Sequence, residues 1–141
     1  MPAEDRAAEK TRKFGPVLVV EDDAVLAMAV EDALLDAGAR DVAIASTTDQ
    51  ALQTLRDRRF AAVILDVHLA DRGDGWAIAE LVRALGAEAP KVIFATGSPD
   101  EIPQDIAELG PVLAKPYDFA RLVELVRPEP RPSLFSRLRR D

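Results

Sequence analysis

The sequence contains no cysteine, which excludes a disulfide framework, a thiolate nucleophile and any metal site built from cysteine. It also has no apolar run near the roughly 20 residues that a membrane-spanning helix needs. The first residues are charged throughout and lack the apolar segment of a signal peptide. We therefore expect a cytoplasmic protein with no membrane association.

Positive charge is scarce in most of the chain. The 141 residues hold 18 Lys and Arg against 25 Asp and Glu, a net charge of −7. Because duplex binding needs clustered cations, we expect no nucleic-acid partner for the folded body. Residues 127–141 differ, with five Arg against two acids. We expect a polar arm over residues 1–14, one domain over 15–127 and a separate tail rich in Pro and Arg over 128–141.

Short apolar runs alternate with helical patterns five times along the chain. This alternation predicts an α/β domain, in which a parallel sheet is covered by helices on both faces through right-handed crossovers. The spacing predicts strands at 17–20, 41–45, 62–65, 91–95 and 111–114. It predicts helices at about 24–37, 46–58 and 74–86, a short helix interrupted by proline after 98, and a last helix from 119.

Two helices carry clear end signals. Asp23 is a suitable N-cap for the first helix and Gly38 a suitable residue just past its end, while Asp118 can cap the last helix. In the last helix Phe119, Leu122, Val123 and Val126 recur at helical spacing. The apolar positions near helical spacing in the first helix are Val25, Leu26, Met28, Ala29, Ala33 and Leu34.

Polar side chains follow four of the five predicted strands. Asp66 follows the third strand, Thr96 follows the fourth and Lys115 follows the fifth, while Glu21-Asp22-Asp23 follow the first. Open α/β sheets bind ligands at the edge formed by the carboxyl ends of their strands. Clustered carboxylates repel one another unless a hard cation joins them, and Mg²⁺ prefers such oxygen ligands. The set therefore predicts phosphoryl transfer to Asp66, with Lys115 pairing one phosphoryl oxygen and Thr96 donating a hydrogen bond to another.

Four segments, VLVVEDD, VILDVHL, VIFATG and LAKPY, occur in this order, each at an apolar run. Together they span roughly residues 16–127 and resemble the receiver domains of two-component response regulators, which are CheY-like. The resemblance implies a flavodoxin-like, doubly wound, five-stranded parallel sheet with strand order 2-1-3-4-5.

The resemblance also implies a role for each matching residue. Asp66 would be the phosphoacceptor, Thr96 the switch hydroxyl and Lys115 the lysine that pairs with the phosphoryl group. Pro116 would follow a cis peptide bond, and Asp23 is interpreted as a cap rather than a ligand. The implied ligands of Mg²⁺ are Glu21 through water, Asp22, Asp66 and the backbone carbonyl of His68.

The chain departs from the family pattern in several places. Ala70 replaces the usual proline, and the loop to Gly75 is one residue longer than usual. Val112 stands where an aromatic switch residue is expected. The FATG and KPY segments resemble the stand-alone subgroup nicknamed FAT GUY, but Ser98 and Pro99 replace its hydrophobic residue and Tyr.

We therefore expect a single-domain response regulator that is phosphorylated by a histidine kinase or phosphotransferase and signals by protein contact, not an enzyme. One alternative is a haloacid-dehalogenase-type phosphatase, although His68 stands where those enzymes have an acid. A second is a pseudo-receiver that binds constitutively. Residues 133–140, with Leu134, Phe135 and Leu138 beside arginines, could form two helical turns that dock on a second copy and give a homodimer.

Overall fold

The computed structural model describes residues 13–70 and 76–128. Their centre is one parallel sheet with strand order β2-β1-β3-β4-β5, which confirms the expected order. Among the described residues, no helix is long and apolar enough to cross a membrane. The strands are β1 (Val17–Val20), β2 (Val42–Ala45), β3 (Ala62–Asp66), β4 (Lys91–Thr96) and β5 (Val112–Ala114).

Helices cover both faces of this sheet. Helices α1 and α6 lie on one face, and α2, α4 and α5 lie on the other. Short 3-10 turns at Gly86–Glu88 and Pro99–Glu101 complete the connections. The helices are α1 (Ala24–Asp36), α2 (Thr48–Asp57), α3 (Val67–Ala70), α4 (Ala77–Ala84), α5 (Gln104–Ala107) and α6 (Phe119–Val126).

The central strands are buried on both faces, as the uninterrupted apolar runs predicted. Successive side chains of β1 enter opposite cores, because side chains alternate across a strand. Leu18 joins the core under α2 and α4, whereas Val19 joins the core under α1 and α6. Gly110 permits a close approach before β5, since a Cβ atom there would lie 1.8 Å from the Val92 carbonyl oxygen.

The predicted ends of α1 are confirmed. The Asp23 side chain accepts hydrogen bonds from the backbone N–H groups of Val25 and Leu26. At the other end Gly38 has a φ of +110°, and the N–H of Ala39 reaches the carbonyl of Leu34. This is the Schellman arrangement, which glycine favours because it lacks a Cβ.

The predicted apolar face of α1 is wrong in part. Val25 and Met28 are 79% and 60% exposed, and the buried residues are Ala27, Val30 and Leu34. The helix is apolar over most of its circumference, so residue spacing alone did not fix which side faces the sheet. The face with the larger side chains near the start of the helix lies in solvent instead.

Other differences concern element boundaries. Asp66 closes β3 and is followed directly by the single turn α3, not by a loop, because 67–70 is too short for a helical repeat to be visible. Helix α4 begins at Ala77 and ends at Ala84, and α2 begins after its N-cap Thr47. Strands β2 and β5 each begin one residue later than predicted.

The start of the fold lies slightly before residue 15. Phe14 is buried and exchanges backbone hydrogen bonds with Gly38 and Arg40, forming a bridge beside β1. It therefore belongs to the core rather than to the expected arm. Three predicted features lie outside the described residues: the arm before residue 13, the loop to Gly75 that is one residue longer than usual, and the tail helix at 133–140.

Candidate functional site

The strand register brings the four predicted polar positions to one edge of the sheet. Val20 is paired with Leu65, so Glu21 follows β1 at the level where Asp66 ends β3. Asp66 is paired with Ala95, which places Thr96 one residue further along β4. Thr96 is paired with Ala114, and Lys115 follows immediately. Parallel pairing is thus what gathers residues that are far apart in sequence.

Burial separates this edge from the rest of the molecule. Glu21, Asp66 and Thr96 are 6%, 3% and 5% exposed, and they are the buried polar or charged residues of the described part of the chain. Burying ionisable groups is costly unless they are paired or bind a metal. Their concentration at one edge therefore indicates a site.

The acids form a compact cluster. Carboxylate oxygens of Glu21, Asp22 and Asp66 all lie within 4.8 Å of one another. Asp22 is exposed to solvent while the other two carboxylates are buried. This set of hard oxygen donors, open to water on one side, fits a divalent cation such as Mg²⁺. Asp23 instead caps α1, as expected.

Lys115 supplies the counter-charge to this cluster. Its Nζ lies 3.0 Å from Glu21 Oε1 and 3.4 Å from Asp66 Oδ1. The backbone N–H of Lys115 donates to the Thr96 carbonyl oxygen at 2.7 Å, which fixes the start of this side chain beside β4. The peptide bond between Lys115 and Pro116 is cis, as the resemblance implied.

The charges of the site are coupled. Burial raises the pKa of Glu21, and the nearby Asp66 adds to this, outweighing the hydrogen bonds from Asp23 N–H and Lys115 that favour the ionised form. Burial lowers the pKa of Lys115, but its hydrogen bond to Glu21 and the charges of Asp66 and Glu21 dominate, so its pKa is raised overall. The lysine is therefore held as a cation.

Backbone and side-chain groups orient the remaining members. The backbone N–H of His68 donates to Asp66 Oδ1 at 3.0 Å, so the first turn of α3 restrains the carboxylate. The Oγ1 of Thr96 accepts a hydrogen bond from the Ser98 N–H at 2.9 Å. The metal-binding role of the His68 carbonyl stays a prediction.

A cavity of about 240 Å³ opens beside Thr96, with His68, Trp76 and Ser98 among its lining residues. The Trp76 ring packs edge-on against Phe94, with ring centroids 6.4 Å apart. The sequence placed this tryptophan only at the edge of the domain. Its place in the sequence, ten residues after Asp66, was the signal for a position near the site.

Comparisons with known proteins agree with this geometry. The response regulator receiver domain model matches residues 17–127. The transcriptional regulatory protein ZraR of Escherichia coli O157:H7 is 34% identical over 108 residues, and that of Salmonella typhimurium is 34% identical over 110 residues. These matches cover 75% and 77% of this chain but only 24% of each relative. The chain thus covers about a quarter of the length of these curated relatives.

Solved structures share the same fold. A CheY-like response regulator receiver domain from Methylobacillus flagellatus has a TM-score of 0.66 at 25% identity, covering 79% of this chain and 97% of that one. The response regulator PhyR from Brucella abortus has a TM-score of 0.65 at 26% identity, covering 88% of this chain and 51% of that one. With the family match over most of the chain, these findings show that the chain belongs to the response regulator receiver domain family.

Proposed function

We propose that Asp66 accepts a phosphoryl group from a histidine kinase or phosphotransferase, and that the protein then signals through contacts with other proteins. Receiver domains are signalling modules of two-component systems, which gives the general role. The observation that carries the specific proposal is the position of Lys115 Nζ, 3.4 Å from Asp66 Oδ1 inside the acidic cluster. A cation at that distance can pair with a phosphoryl group attached to Asp66.

Receiver domains bind Mg²⁺ through acidic residues, and the cluster at this edge has the donors for it. Asp22 and Asp66 would hold the ion directly, with Glu21 through water and the His68 carbonyl as a further ligand. The bound ion would neutralise charge on the phosphoryl oxygens. Its binding would also offset the mutual repulsion of the three carboxylates.

The chemical step needs a nucleophile, a counter-charge and an exit for the leaving group. An Asp66 carboxylate oxygen forms a bond to phosphorus while the bond between phosphorus and the donor's leaving atom breaks, and the leaving group keeps that electron pair. The product is an acyl phosphate on Asp66. Lys115 neutralises one of its oxygens, and the Thr96 hydroxyl can donate to another while still accepting from Ser98 N–H.

Phosphorylation adds negative charge at the carboxyl ends of the neighbouring strands β3, β4 and β5. We expect it to shift an existing conformational equilibrium, in which Thr96 and the adjacent Pro99–Glu101 turn, α5 and β5 rearrange. The cavity beside Thr96 provides room for that movement. Val112 lies in β5 and is 36% exposed, so this side chain would have to transmit the change without an aromatic ring.

The alternatives differ in what supports them. The family match argues against the haloacid-dehalogenase hypothesis, since the receiver domain model matches residues 17–127. The pseudo-receiver hypothesis predicts the same fold but no phosphorylation of Asp66. Stand-alone organisation, FAT GUY membership and a homodimer stay predictions.

Labelling by a small acyl-phosphate donor in the presence of Mg²⁺ tests the proposal. We expect the wild-type protein to be labelled, and labelling to be lost in Asp66→Asn and on removal of the metal by a chelator. Asp57→Asn, at an exposed acid that ends α2 and is not part of the cluster, serves as the matched control and keeps full labelling. Unlabelled wild type would favour the pseudo-receiver, and labelled Asp66→Asn would show that the acceptor is another residue.

A further inference from the structure

One side of α1 carries apolar side chains that no described element covers. Val25, Met28 and Leu35 are 79%, 60% and 44% exposed, and they are the three most exposed large hydrophobic residues of the described chain. They stand at i, i+3 and i+10, which places them along one side of the helix. We call these three residues the α1 stripe.

Within α1 itself, the charged residues beside the stripe are all acidic. Asp32 lies seven residues after Val25 and therefore within the stripe, while Glu31 and Asp36 flank it. The helix contains no Lys or Arg. A segment that complements this surface would combine apolar side chains with cations.

The chain leaves the described body beside this helix. Helices α1 and α6 lie on the same face of the sheet, and Arg127 Nη2 donates to the carbonyl of Ala37, the C-cap of α1, at 2.6 Å. The following residue, Pro128, is the last one described. Residues 129–141 therefore begin close to one end of the α1 stripe.

Those thirteen residues have the composition that the stripe requires. Four arginines stand against two acids, and three large apolar residues lie among them. The arginines are Arg131, Arg137, Arg139 and Arg140, and the apolar residues are Leu134, Phe135 and Leu138.

The length of the segment matches the helix. Prolines at 130 and 132 favour an extended chain of about 3.1 Å per residue, so Leu134 can lie up to about 19 Å from Pro128. The 13 residues of α1 span about 20 Å. The apolar residues of the tail can thus reach Met28 and Val25. Because the segment is tethered, its effective concentration at the stripe is in the millimolar range, far above that of a free peptide at ordinary protein concentrations.

We infer that residues 133–140 dock on the α1 stripe of their own chain. Leu134, Phe135 and Leu138 cover the exposed apolar side chains, and the arginines face the acids of α1. The inference stands independently of phosphorylation.

A single spin label tests the inference in the full chain. The protein has no cysteine, so Ser136→Cys provides one attachment site for a nitroxide on ¹⁵N-labelled protein. We expect amide signals along the exposed side of α1 to lose most of their intensity, while those of α2 and α4, on the opposite face of the sheet, keep theirs. Met28→Lys should restore the α1 signals, whereas Leu85→Lys, at an exposed apolar residue beyond α4, should not.

Two further arms separate the outcomes. Leu138→Asp in the labelled chain changes only the tail and should also restore the α1 signals, which covers the case in which Met28→Lys perturbs folding. A mixture of two samples tests docking between molecules: one carries the nitroxide but no ¹⁵N, and the other carries ¹⁵N but no nitroxide. The α1 signals of this mixture should stay intact. Loss of the α1 signals in that mixture would mean that the tail docks on a second copy. In the spin-labelled ¹⁵N protein itself, signal loss only in other parts of the chain, or no signal loss, would mean that the tail does not occupy the stripe. Either result overturns the inference.

Discussion

The middle of the sheet and its carboxyl edge are built from the same strands but from opposite chemistry. Along β1 all four side chains are apolar and at most 1% exposed, whereas the next residue, Glu21, is a buried acid. In β4, Phe94 is fully buried among apolar side chains, and Thr96, two residues later, is a buried hydroxyl. One or two residues thus separate the core from the site.

The difference concerns what each region contributes. Apolar burial in the middle stabilises the fold, because removing that surface from water is favourable. Charged groups at the edge lose hydration and repel one another, so they do not supply comparable stability. We infer that the strands' interior holds the structure and that their ends are retained for chemistry. Substitutions in the two regions should therefore differ in the size of their effects on stability and, at Glu21, in the sign.

The largest loss of stability is expected in the middle of the sheet. Phe94→Ala removes a fully buried ring that also contacts Trp76, and should lower the free energy of unfolding by about 3–5 kcal/mol. Urea denaturation measures this change. Val112→Ala, at a partly exposed residue of β5, is the control and should lose far less. Equal losses would contradict the distinction between core and surface.

Lys115→Met should also destabilise the protein, by less than Phe94→Ala. The raised pKa of Lys115 means that folding favours its charged form, a contribution present at all pH values below its ordinary pKa and lost only as the pH rises through the raised value. Without this cation Glu21 and Asp66 face each other unpaired. Thermal melting at neutral pH with a chelator tests this, with the exposed Lys91→Met as control. An unchanged melting temperature would show that the lysine does not balance the cluster.

Glu21→Gln should have the opposite sign and raise the melting temperature. The raised pKa of Glu21 means that its ionised form is disfavoured by folding, at a cost that grows as pH rises from the ordinary towards the raised pKa and persists above it. Removing the charge relieves this cost at neutral pH, and the gain should shrink in acid. The exposed Glu80→Gln is the control. A lower melting temperature at neutral pH would mean that the contacts of Glu21 with Lys115 and Asp23 N–H outweigh its burial.

Asp23 directly follows two acids of the cluster but caps α1, so its substitution should affect the helix rather than the site. Asp23→Ala removes the N-cap of α1 and should cost about 1 kcal/mol of unfolding free energy. Asp23→Asn keeps a capping oxygen and should retain most of that stability. Calorimetric titration should give both variants nearly the wild-type affinity for Mg²⁺. A large loss of affinity in Asp23→Asn would make this residue a metal ligand.

Sequence reasoning succeeded where local chemistry leaves one choice. Uninterrupted apolar runs ending in Asp66 or Thr96 identified the buried strands and the residues at their tips. Asp23 and Gly38 marked the ends of α1 because few other residues suit those backbone positions. The strand order came from the resemblance, since local patterns do not specify which strands are neighbours.

The remaining features depend on packing that the sequence does not reveal. The orientation of α1 was misjudged because Val25 and Met28 are as apolar as the residues that face the sheet. The turn α3 is one turn long, too short for a helical repeat. Trp76 lines the same cavity as Thr96. Its place after Asp66 in the sequence suggested a position near the site, but its contact with Phe94 depends on how α4 packs on the sheet.

Locating the phosphoryl group within the chain tests the central claim most directly. After reaction with a small acyl-phosphate donor and Mg²⁺, the acyl phosphate can be reduced with borohydride, and mass spectrometry of the fragments then identifies the modified aspartate. The account predicts modification at Asp66, and at no other acid of the cluster. Modification at Glu21, Asp22 or a residue away from this edge would contradict it.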